Sequence, residues 1–398
     1  MAAVSRARHD VVVAGLGAMG SATAAQLALR GRRVLGLERW TPGHPYGSSH
    51  GDSRIIRELY FEHPMYVPLL QRAYALWREL EARTGESLMH LTGGLMIGPE
   101  DGALVAGTLR SAREHGLAHE RLDAAQLRRR FPAFALRGGD VAVLDPRGGY
   151  LEPDRANAAH LALARAHGAE LRFDEPVLAW APDGEGVRVT TPKGTYVAER
   201  LCLTVGARTG ALLPDLRPPL AVERQVLFWL DPGGSPGSYA PGDFPIWLYE
   251  HRPGHLCYGF PRLARGVKAS IMHDGDPVAD ADAVRRAVRE DEVEPLRAAL
   301  RGVLPSLAEA PVREHAVCLF TNAPDADFLI DVHPEHPQVL VSSPCSGHGY
   351  KFASAIGEVQ ADLLVDGGTR FDLTPFRLSR FGPRAAERAA PPGPATPA

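Results

Sequence analysis

Lysine is nearly absent from this chain of 398 residues. Only three of its 44 basic residues are lysines, and all the others are arginines. Because arginine supplies ordinary surface charge equally well, a lysine in such a sequence indicates a position that requires a compact ammonium group. The three are Lys193, Lys268 and Lys351. Lys193 falls in a predicted hairpin turn and is expected to be solvent-exposed, which leaves Lys268 and Lys351 as candidate functional residues.

Cysteine is also scarce, and the four cysteines stand far apart along the chain. The sequence contains no Cys-x-x-Cys pair, which argues against a zinc knuckle or a disulfide scaffold as the framework of the fold. The histidines and acids show no spacing typical of metal ligands, so we expect no metal site.

Long apolar runs and a marked excess of charge are missing as well. No apolar run reaches the length of a membrane span, and the formal net charge is −3 with a pI near 6.6. These values give no reason to expect nucleic acid or an anionic membrane as a partner. Arg6 and Arg8 precede the apolar residues 11–20 as in a signal peptide, but Asp10 interrupts that pattern. We therefore expect a cytoplasmic protein.

The N-terminal part of the sequence has the pattern of a strand, a turn, a helix and a second strand. Residues 10–14 are mostly apolar and β-branched, as in a buried parallel strand. The motif Gly-x-Gly-x-x-Gly follows at 15–20, a helix is predicted over 21–30 and a second strand over 33–37. Glu38 stands directly after this second strand.

This unit predicts a dinucleotide-binding turn. Gly15 permits a tight turn, Gly17 lets the backbone approach a pyrophosphate, and Gly20 lets the helix pack closely on the strand. The helix N-terminus offers unpaired amides to phosphates, and Glu38 stands where a carboxylate binds ribose hydroxyls and disfavours a 2′-phosphate. The predicted cofactor-binding residues of this unit are Gly15, Gly17, Ala18, Met19, Gly20, Glu38 and Arg39. A purely structural turn is the alternative, and the motif alone does not separate NAD from FAD.

A second glycine segment favours FAD. Strands are predicted over 177–181, 187–191, 195–197 and 200–204, and the last leads into Thr204-Val205-Gly206-Ala207. Flavoproteins of the two-dinucleotide type return to FAD at such a segment, whereas a simple NAD dehydrogenase has no use for it. Gly206 is therefore a further candidate cofactor-binding residue.

The order of predicted elements indicates an α/β fold. Helices are predicted over 66–84, 103–115, 122–130, 153–167, 281–304 and 352–365, and further strands over 88–97 and 339–343. We expect a discontinuous Rossmann-type FAD-binding domain at 1–85, 150–220 and 322–380. A substrate domain with a mixed or antiparallel sheet and flanking helices is expected at 86–149 and 221–321. Residues 381–398, rich in Pro and Ala, are predicted to form a disordered tail.

Four further motifs carry a resemblance to a known family. They are Ser48-Ser49-His50-Gly51-Asp52-Ser53-Arg54-Ile55-Ile56-Arg57, Tyr258-Gly259-Phe260-Pro261, Ala316-Val317-Cys318 and Ser346-Gly347-His348-Gly349-Tyr350-Lys351-Phe352. In this order and spacing the sequence resembles the monomeric sarcosine oxidase and N-methyltryptophan oxidase group of the D-amino-acid-oxidase-like flavoproteins. The resemblance runs from about residue 10 to residue 376 and covers nearly the whole chain.

The resemblance implies covalently bound FAD. In the family, the cysteine that matches Cys318 is bonded through sulfur to the flavin ring, and a thiolate is the right group to attack the ring methyl position. A buried, inert cysteine is the alternative. The cofactor-binding residues implied by the other motifs are Ser48, Arg54, Gly347, His348, Gly349 and Lys351. Cys345, close to the same turn, is expected to have a packing role.

The resemblance also implies catalytic and substrate-binding residues. Arg57 and Lys351 match the pair that holds the substrate carboxylate. Arg54 and His50 match residues beside the flavin, where positive charge stabilises the reduced, anionic ring. Lys268 matches a lysine over the opposite flavin face, where a point charge stabilises superoxide formed from O₂.

One position departs from the family pattern. Family members commonly have histidine four residues after the lysine, whereas this chain has Met272 there and His273 next to it. His273 is a candidate catalytic residue only if the strand shifts by one residue, which would reverse the face on which it points. Met272 and Tyr258 are candidate substrate-binding residues, and Phe320 stands where a tyrosine is familiar. These changes make the pocket less polar and favour a bulkier N-substituted or cyclic substrate.

The sequence thus predicts a monomeric FAD-dependent oxidase of a small secondary amino acid. The expected products are an imine, hydrolysed to an aldehyde and an amine, and H₂O₂ from O₂. A dehydrogenase that passes electrons to a carrier, a tailoring enzyme for a larger or carrier-bound amino acid, and a non-catalytic flavin-binding protein remain as alternatives.

Overall fold

The computed structural model describes residues 9–233 and 239–382 of the chain. Its strands are β1 His9–Ala14, β2 Val34–Leu37, β3 Arg54–Ile56, β4 Met89–Leu91, β5 Gly94–Pro99, β6 Glu120–Leu122, β7 Asp140–Asp145, β8 Gly149–Leu151, β9 Glu170–Arg172, β10 Ala179–Asp183, β11 Gly186–Thr191, β12 Gly194–Leu203, β13 Ala221–Leu230, β14 Ile246–Arg252, β15 His255–Leu263, β16 Gly266–Met272, β17 Asp276–Val278, β18 Val312–Asn322, β19 Leu329–Val332 and β20 Val339–Ser343. Its α-helices are α1 Ala18–Leu29, α2 Val67–Thr84, α3 Ala103–His115, α4 Ala124–Arg130, α5 Pro153–Ala166, α6 Glu294–Leu300, α7 Pro305–Ala308 and α8 Ala353–Asp366. Short 3-10 turns cover Pro64–Tyr66, Gly206–Leu212, Glu290–Val293, Tyr350–Phe352, Thr374–Phe376 and Leu378–Phe381. Most of the predicted tail, residues 383–398, lies outside the described residues.

The first sheet contains the strands of the predicted dinucleotide-binding unit. Its parallel strands lie in the order β9, β2, β1, β12 and β20, and β19 joins β20 in the antiparallel direction. The hairpin of β10 and β11 pairs with the first half of β12. Helix α1 packs against α5 and α8. A Cβ atom on Gly357 of α8 would lie 2.7 Å from the Cβ atom of Ala22, so a glycine is required where these helices meet.

The second sheet is mixed and larger. Its strands lie in the order β17, β13, β16, β15, β14, β5, β7 and β6, and β18 pairs along the whole of β13. Strands β14 and β5 are parallel, whereas the other neighbours are antiparallel. Side chains alternate along β13: Phe228 and Leu230 pack into the core under α6, and Leu227 and Trp229 face the other way, beside Cys318. Besides these two main sheets, β8 pairs with β3 and with β4 in a small antiparallel sheet. The sheets and their helices confirm the predicted α/β fold.

Two predicted elements are wrong. The strand expected over 88–97 is broken at Gly93, whose φ of +77° turns the chain from β4 into β5, in a different sheet. The helix expected over 281–304 exists only from residue 290 onwards, and residues 279–289 are irregular. Their side chains bind groups elsewhere in the molecule, which overrides the helical propensity of this alanine- and arginine-rich stretch.

Candidate active site

A cavity of about 610 Å³ is lined by segments from both sheets. Cofactors and small ligands commonly occupy cavities of this size. The predicted site residues on its wall are Gly15, Gly17, Ala18, Met19, Glu38, Arg39, Ser48, Arg54, Arg57, Gly206, Tyr258, Met272, Cys318, Gly347, His348, Gly349 and Lys351. The other predicted residues, Gly20, His50, Lys268 and His273, do not line the cavity.

The glycine turn between β1 and α1 forms one end of the cavity. Gly15 has a φ of +86°, and a Cβ atom there would lie 2.6 Å from the carbonyl oxygen of Thr204. A Cβ atom on Gly20 would lie 1.8 Å from the carbonyl oxygen of Gly15, so this glycine allows the helix to pack on the turn. Gly17 provides no side-chain cap for helix α1, and the first turn contains no acid. The amide of Ala18 donates to Oγ of Ser49 at 3.0 Å, so the amides of Met19 and Gly20 are the ones available to an anion.

Glu38 lies at the same end of the cavity and is almost fully buried. Its carboxylate accepts hydrogen bonds from the amides of Leu16 at 2.7 Å and Trp40 at 3.1 Å. Burial alone would raise the pKa of this acid, but His44 and these amides outweigh burial and lower the pKa. Glu38 is therefore ionised at neutral pH and remains able to accept hydrogen bonds from ribose hydroxyls.

Cys318 lies on β18 and faces the cavity. Nη2 of Arg54 is 3.5 Å from its sulfur. The same guanidinium donates to the carbonyl oxygens of Ser48 at 2.8 Å and Ser53 at 2.9 Å. Arg54 has no carboxylate partner in these contacts, so its positive charge is directed at the cavity wall and the thiol.

The buried Arg57 is paired with an acid that the sequence analysis missed. Nη2 of Arg57 lies 2.6 Å from each carboxylate oxygen of Glu62, and Nη1 donates to the carbonyl oxygen of Leu59. Burial would lower the pKa of Arg57, but the charge of Glu62 raises it above the ordinary value. Glu62 also lines the cavity. The only signal in the sequence is an acid five residues after an arginine, which does not distinguish a buried pair from surface charge.

Lys351 lies near Arg57 and is also buried. Its ammonium donates to the carbonyl oxygen of His348 at 2.5 Å and lies over the ring of Tyr60. Burial, together with the charge of Arg57, lowers the pKa of Lys351 to about 7. Among residues 9–233 and 239–382, no carboxylate pairs directly with this ammonium. It is the second cation of the predicted substrate clamp.

Both ring nitrogens of His348 form hydrogen bonds within the protein. Its Nε2 lies 2.9 Å from the carbonyl oxygen of Ala326 and its Nδ1 2.5 Å from the hydroxyl of Tyr60. Because burial lowers the pKa of His348 to about 4, the imidazole is neutral, Nε2 carries the proton and Tyr60 donates to Nδ1. His348 thus fixes the shape of the glycine turn 347–349 and has no free ring nitrogen for a ligand.

Lys268 and His50 lie behind the cavity wall. The ammonium of Lys268 donates to the carbonyl oxygens of Gly51, at 2.6 Å, and of Ser53, and it lies 4.2 Å from the centre of the Phe260 ring. Burial lowers the pKa of Lys268 well below its usual value. Burial and the nearby Arg54 lower the pKa of His50 to about 3. The imidazole of His50 is thus held neutral in this structure, and Arg54 is the cation at this part of the cavity wall.

Met272 and His273 both lie close to the cavity, in different ways. Met272 lines it as the last residue of β16, together with Tyr258 and Phe320. His273 follows with a φ of +58°, so the alternation of faces ends there. Its ring contacts Phe320 edge-on at 5.4 Å, and a Cβ atom on Gly347 would lie 2.9 Å from its Nε2. Met272 thus lines the cavity directly, whereas His273 lies against two residues that line it, Phe320 and Gly347.

Within residues 9–233 and 239–382, no group of three or more His, Cys, Asp and Glu side chains could hold a metal ion. No helix in this described part of the chain is long and apolar enough to cross a membrane.

The two ends of the cavity differ in chemistry. At one end, free helix amides and Glu38 suit the pyrophosphate and ribose of a dinucleotide. At the other, Arg57 and Lys351 suit an anionic substrate. The fold and this arrangement define a dinucleotide-dependent oxidoreductase. The family model described as DAO, FAD dependent oxidoreductase, matches residues 10–363, and the chain belongs to this family.

Individual relatives agree with the family. The chain is 43% identical over 377 residues to a monomeric sarcosine oxidase of Streptomyces avermitilis, covering 94% of this chain and 98% of the relative. It is 36% identical over 378 residues to an N-methyl-L-tryptophan oxidase of Salmonella arizonae, covering 94% and 99%. Among solved structures, NikD, described as an unusual amino acid oxidase essential for nikkomycin biosynthesis, superimposes with a TM-score of 0.81 at 30% identity, covering 93% of this chain and 97% of NikD.

Proposed function

We propose that this protein is an FAD-dependent oxidase of a small secondary amino acid, N-methylated or cyclic. The observation that carries the proposal is the pair of buried cations, Arg57 and Lys351, on the wall of the cavity that also contains Cys318 and the glycine turn. For an N-methyl amino acid, the overall reaction converts the amino acid, O₂ and water to an aldehyde, an amine and H₂O₂. A cyclic amino acid and O₂ would give a cyclic imine and H₂O₂. The similarity to sarcosine and N-methyltryptophan oxidases supports this substrate class.

The residues present fit FAD. The first amides of α1 would bind the pyrophosphate, Glu38 the ribose and the segment at Gly206 the same half of the cofactor. The flavin would then lie against Arg54, Ser48 and the turn at Gly347. We further propose that Cys318 binds the flavin covalently, because its sulfur faces the cavity and Arg54 can hold negative charge that develops on that sulfur. The division into an FAD-binding domain around the first sheet and a substrate domain around the second is part of this proposal.

Bound FAD would supply the hydride acceptor and, once reduced, the reductant of O₂. The protein must hold the substrate so that its C–H bond faces the flavin. Arg57 and Lys351 would bind the substrate carboxylate, and Tyr258, Met272 and Phe320 would exclude water around the rest of the molecule. In this structure the guanidinium of Arg57 is hydrogen-bonded to Glu62. The substrate carboxylate must therefore displace Glu62 or share Arg57 with it.

Lys268 is the residue we assign to O₂ reduction. Its ammonium lies behind Ser53 and Phe260, both of which line the cavity. A point charge held there by backbone carbonyls would stabilise negative charge forming on oxygen. A dehydrogenase that passes electrons to a carrier would not need it.

A larger substrate is the second candidate. Met272 and Phe320 give the substrate side an apolar wall, which is compatible with a tailoring enzyme for a bulky amino acid. The similarity to NikD, described as an unusual amino acid oxidase, supports this second candidate.

We expect a monomer, as in the relative named a monomeric sarcosine oxidase, and light scattering after gel filtration would test this. The cytoplasmic location stays a prediction.

The test combines a spectrum with a peroxide assay. Purified protein is precipitated with acid and the absorption spectra of pellet and supernatant are compared. Peroxide release is then measured with sarcosine, N-methyltryptophan, pipecolate and proline. Flavin in the pellet and peroxide from one substrate are expected. Flavin in the supernatant would contradict only the covalent bond, amino acid oxidation with an artificial acceptor but without peroxide would indicate the dehydrogenase, and well-folded protein without flavin would overturn the proposal.

A further inference from the structure

Residues 279–289, which we call the strap, connect β17 of the second sheet to the turn Glu290–Val293. The strap has no regular secondary structure. Its residues Ala281, Asp282, Val284 and Arg286 nevertheless line the cavity, on the side that also carries Arg39 and Arg208. A segment that belongs in sequence to the second sheet therefore forms part of the wall around the dinucleotide end.

One carboxylate connects the strap to the first sheet. Asp282 forms an ion pair with Nη2 of Arg39 at 3.2 Å and a second one with Nη1 of Arg208. Arg39 follows Glu38 at the end of β2, and Arg208 lies in the 3-10 turn after β12. Both arginines thus extend from the elements that bind the ribose and pyrophosphate in the proposed complex. Asp282 therefore links the strap to both of these elements.

The other end of the strap is held by the buried side chain of Arg224 and by Arg286. Arg224 of β13 donates to the carbonyl oxygens of Arg285 at 2.7 Å and Ala287 at 3.0 Å, and it pairs with Glu292 at 2.6 Å. Arg286 donates to the carbonyl oxygens of Tyr46 at 2.8 Å and Val317 at 3.1 Å. These bonds fix residues 285–287 to the second sheet and to the segment before Ser48.

The side chains that hold the two ends of the strap differ in solvent exposure. This difference decides which end can detach. The side chains of Asp282, Arg39 and Arg208 are 41%, 28% and 36% exposed, whereas those of Arg224 and Glu292 are 4% and 11% exposed. Exposed ion pairs are weak and screened by salt, but a buried pair is costly to break. The strap is therefore free to detach at Asp282 while residues 285–287 remain in place.

We propose that Asp282, through Arg39 and Arg208, holds the strap across the dinucleotide end of the cavity and limits the rate at which FAD enters, and at which it leaves as long as the bond to Cys318 has not formed. The inference rests on the FAD-binding part of the proposed function. It assigns to Asp282 a positioning role, since this residue acts on the cofactor through the strap and the two arginines.

The test measures FAD release from the full-length holoprotein in a Cys318→Ser background, in which the cofactor is not covalently held. Release is followed by the rise in free flavin fluorescence after dilution. Asp282→Asn is compared with Asp183→Asn, which removes a similarly exposed ion pair, with Arg188, on β10 away from the cavity. Loss of two partly exposed pairs should accelerate release roughly three- to tenfold. Salt should accelerate release from the parent and have a much smaller effect on Asp282→Asn.

Hydrogen exchange of the holoprotein gives a second readout that needs no cofactor release. Asp282→Asn should increase exchange of amides in residues 279–284 more than in residues 285–289, and Asp183→Asn should change neither. Equal release rates and equal salt dependence in Asp282→Asn and the parent would overturn the inference, as would unchanged exchange in the strap. Absence of FAD from the folded parent would instead contradict the proposed function.

Discussion

Nη2 of Arg54 and Sγ of Cys318 lie 3.5 Å apart on the cavity wall. This contact links two motifs that are 264 residues apart in the sequence. A guanidinium so close to a sulfur can stabilise the negative charge that the sulfur needs in order to attack an electrophile. In the proposed complex, the residue that assists attachment of the flavin would therefore be one that also lies beside the flavin ring.

The first prediction concerns covalent attachment. Cys318→Ser should retain FAD but release it on acid precipitation, whereas Cys345→Ser should keep the flavin in the pellet. Arg54→Met should slow covalent incorporation about tenfold or more, because a charge-assisted hydrogen bond to the sulfur is lost. The measurement is the covalent fraction against time after adding FAD to protein produced under riboflavin limitation. Covalent flavin in Cys318→Ser would show that another residue binds it.

The second prediction concerns Glu62, which binds Arg57 at 2.6 Å. Glu62→Gln removes a competing negative charge, so a simple carboxylate such as propanoate should bind roughly three- to tenfold more tightly, as measured by its perturbation of the flavin spectrum. Stability should fall by about 1–3 kcal/mol, because the buried Arg57 loses its acid partner. Glu79→Gln, at an exposed pair with Arg72, should change neither quantity. Weaker carboxylate binding in Glu62→Gln would contradict the proposed competition.

The third prediction concerns the pKa of about 7 at Lys351. The burial that lowers this pKa disfavours the ammonium, so the group is charged below pH 7 and loses its charge as the pH rises through 7. A carboxylate substrate needs the charged form. The ratio of kcat/KM for the parent to that for Lys351→Arg, which stays charged, should therefore fall as the pH rises through about 7. Because the substrate ionises identically in both assays, the ratio isolates the enzyme group. A ratio that is constant from pH 6 to 9 would refute this assignment.

The fourth prediction concerns O₂. Lys268→Met removes the point charge behind Ser53 and Phe260 and should slow reoxidation of the reduced enzyme by O₂ by a factor of about 100 or more. Reduction by the substrate under anaerobic conditions should change far less. Stopped-flow absorbance measures both steps separately. Lys193→Met, at an exposed hairpin, is the matched control, and equal reoxidation rates in the two variants would remove Lys268 from the oxygen reaction.

The dinucleotide end of the site was predictable because its requirements are local. The turn at Gly15 and Gly17, the helix N-terminus and the acid at the end of β2 all lie within about one strand-helix-strand unit. Most of their geometry follows from backbone sterics within this unit, and the contact of Gly15 with Thr204 is the part that comes from a distant segment. The resemblance extended this prediction to Cys318 and Lys351, which the structure brings to the same cavity.

The other features of the site could not be predicted, because they depend on burial and on partners that are distant in the sequence. Glu62 becomes a site residue only because Arg57 is buried beside it, and the pKa of His50 is lowered only because it is enclosed next to Arg54. The strap looked helical by composition, but Asp282 and Arg286 bind groups on other elements. Periodicity reports which face of an element is apolar and carries no information about such long-range pairs.

The order of the central strands has a consequence for biosynthesis. β1, β12 and β20 are neighbours in the first sheet, yet they come from the beginning, the middle and the end of the chain. The turn at Gly15 closes against Thr204, and the cavity is completed by residues up to Lys351. A ribosome must therefore translate nearly the whole message before a flavin pocket exists. Until then β1 waits with an unpaired edge for β12, and β12 waits for β20. Unpaired edges can pair with other chains, so chaperones that cover them should raise the yield of active protein when synthesis is fast.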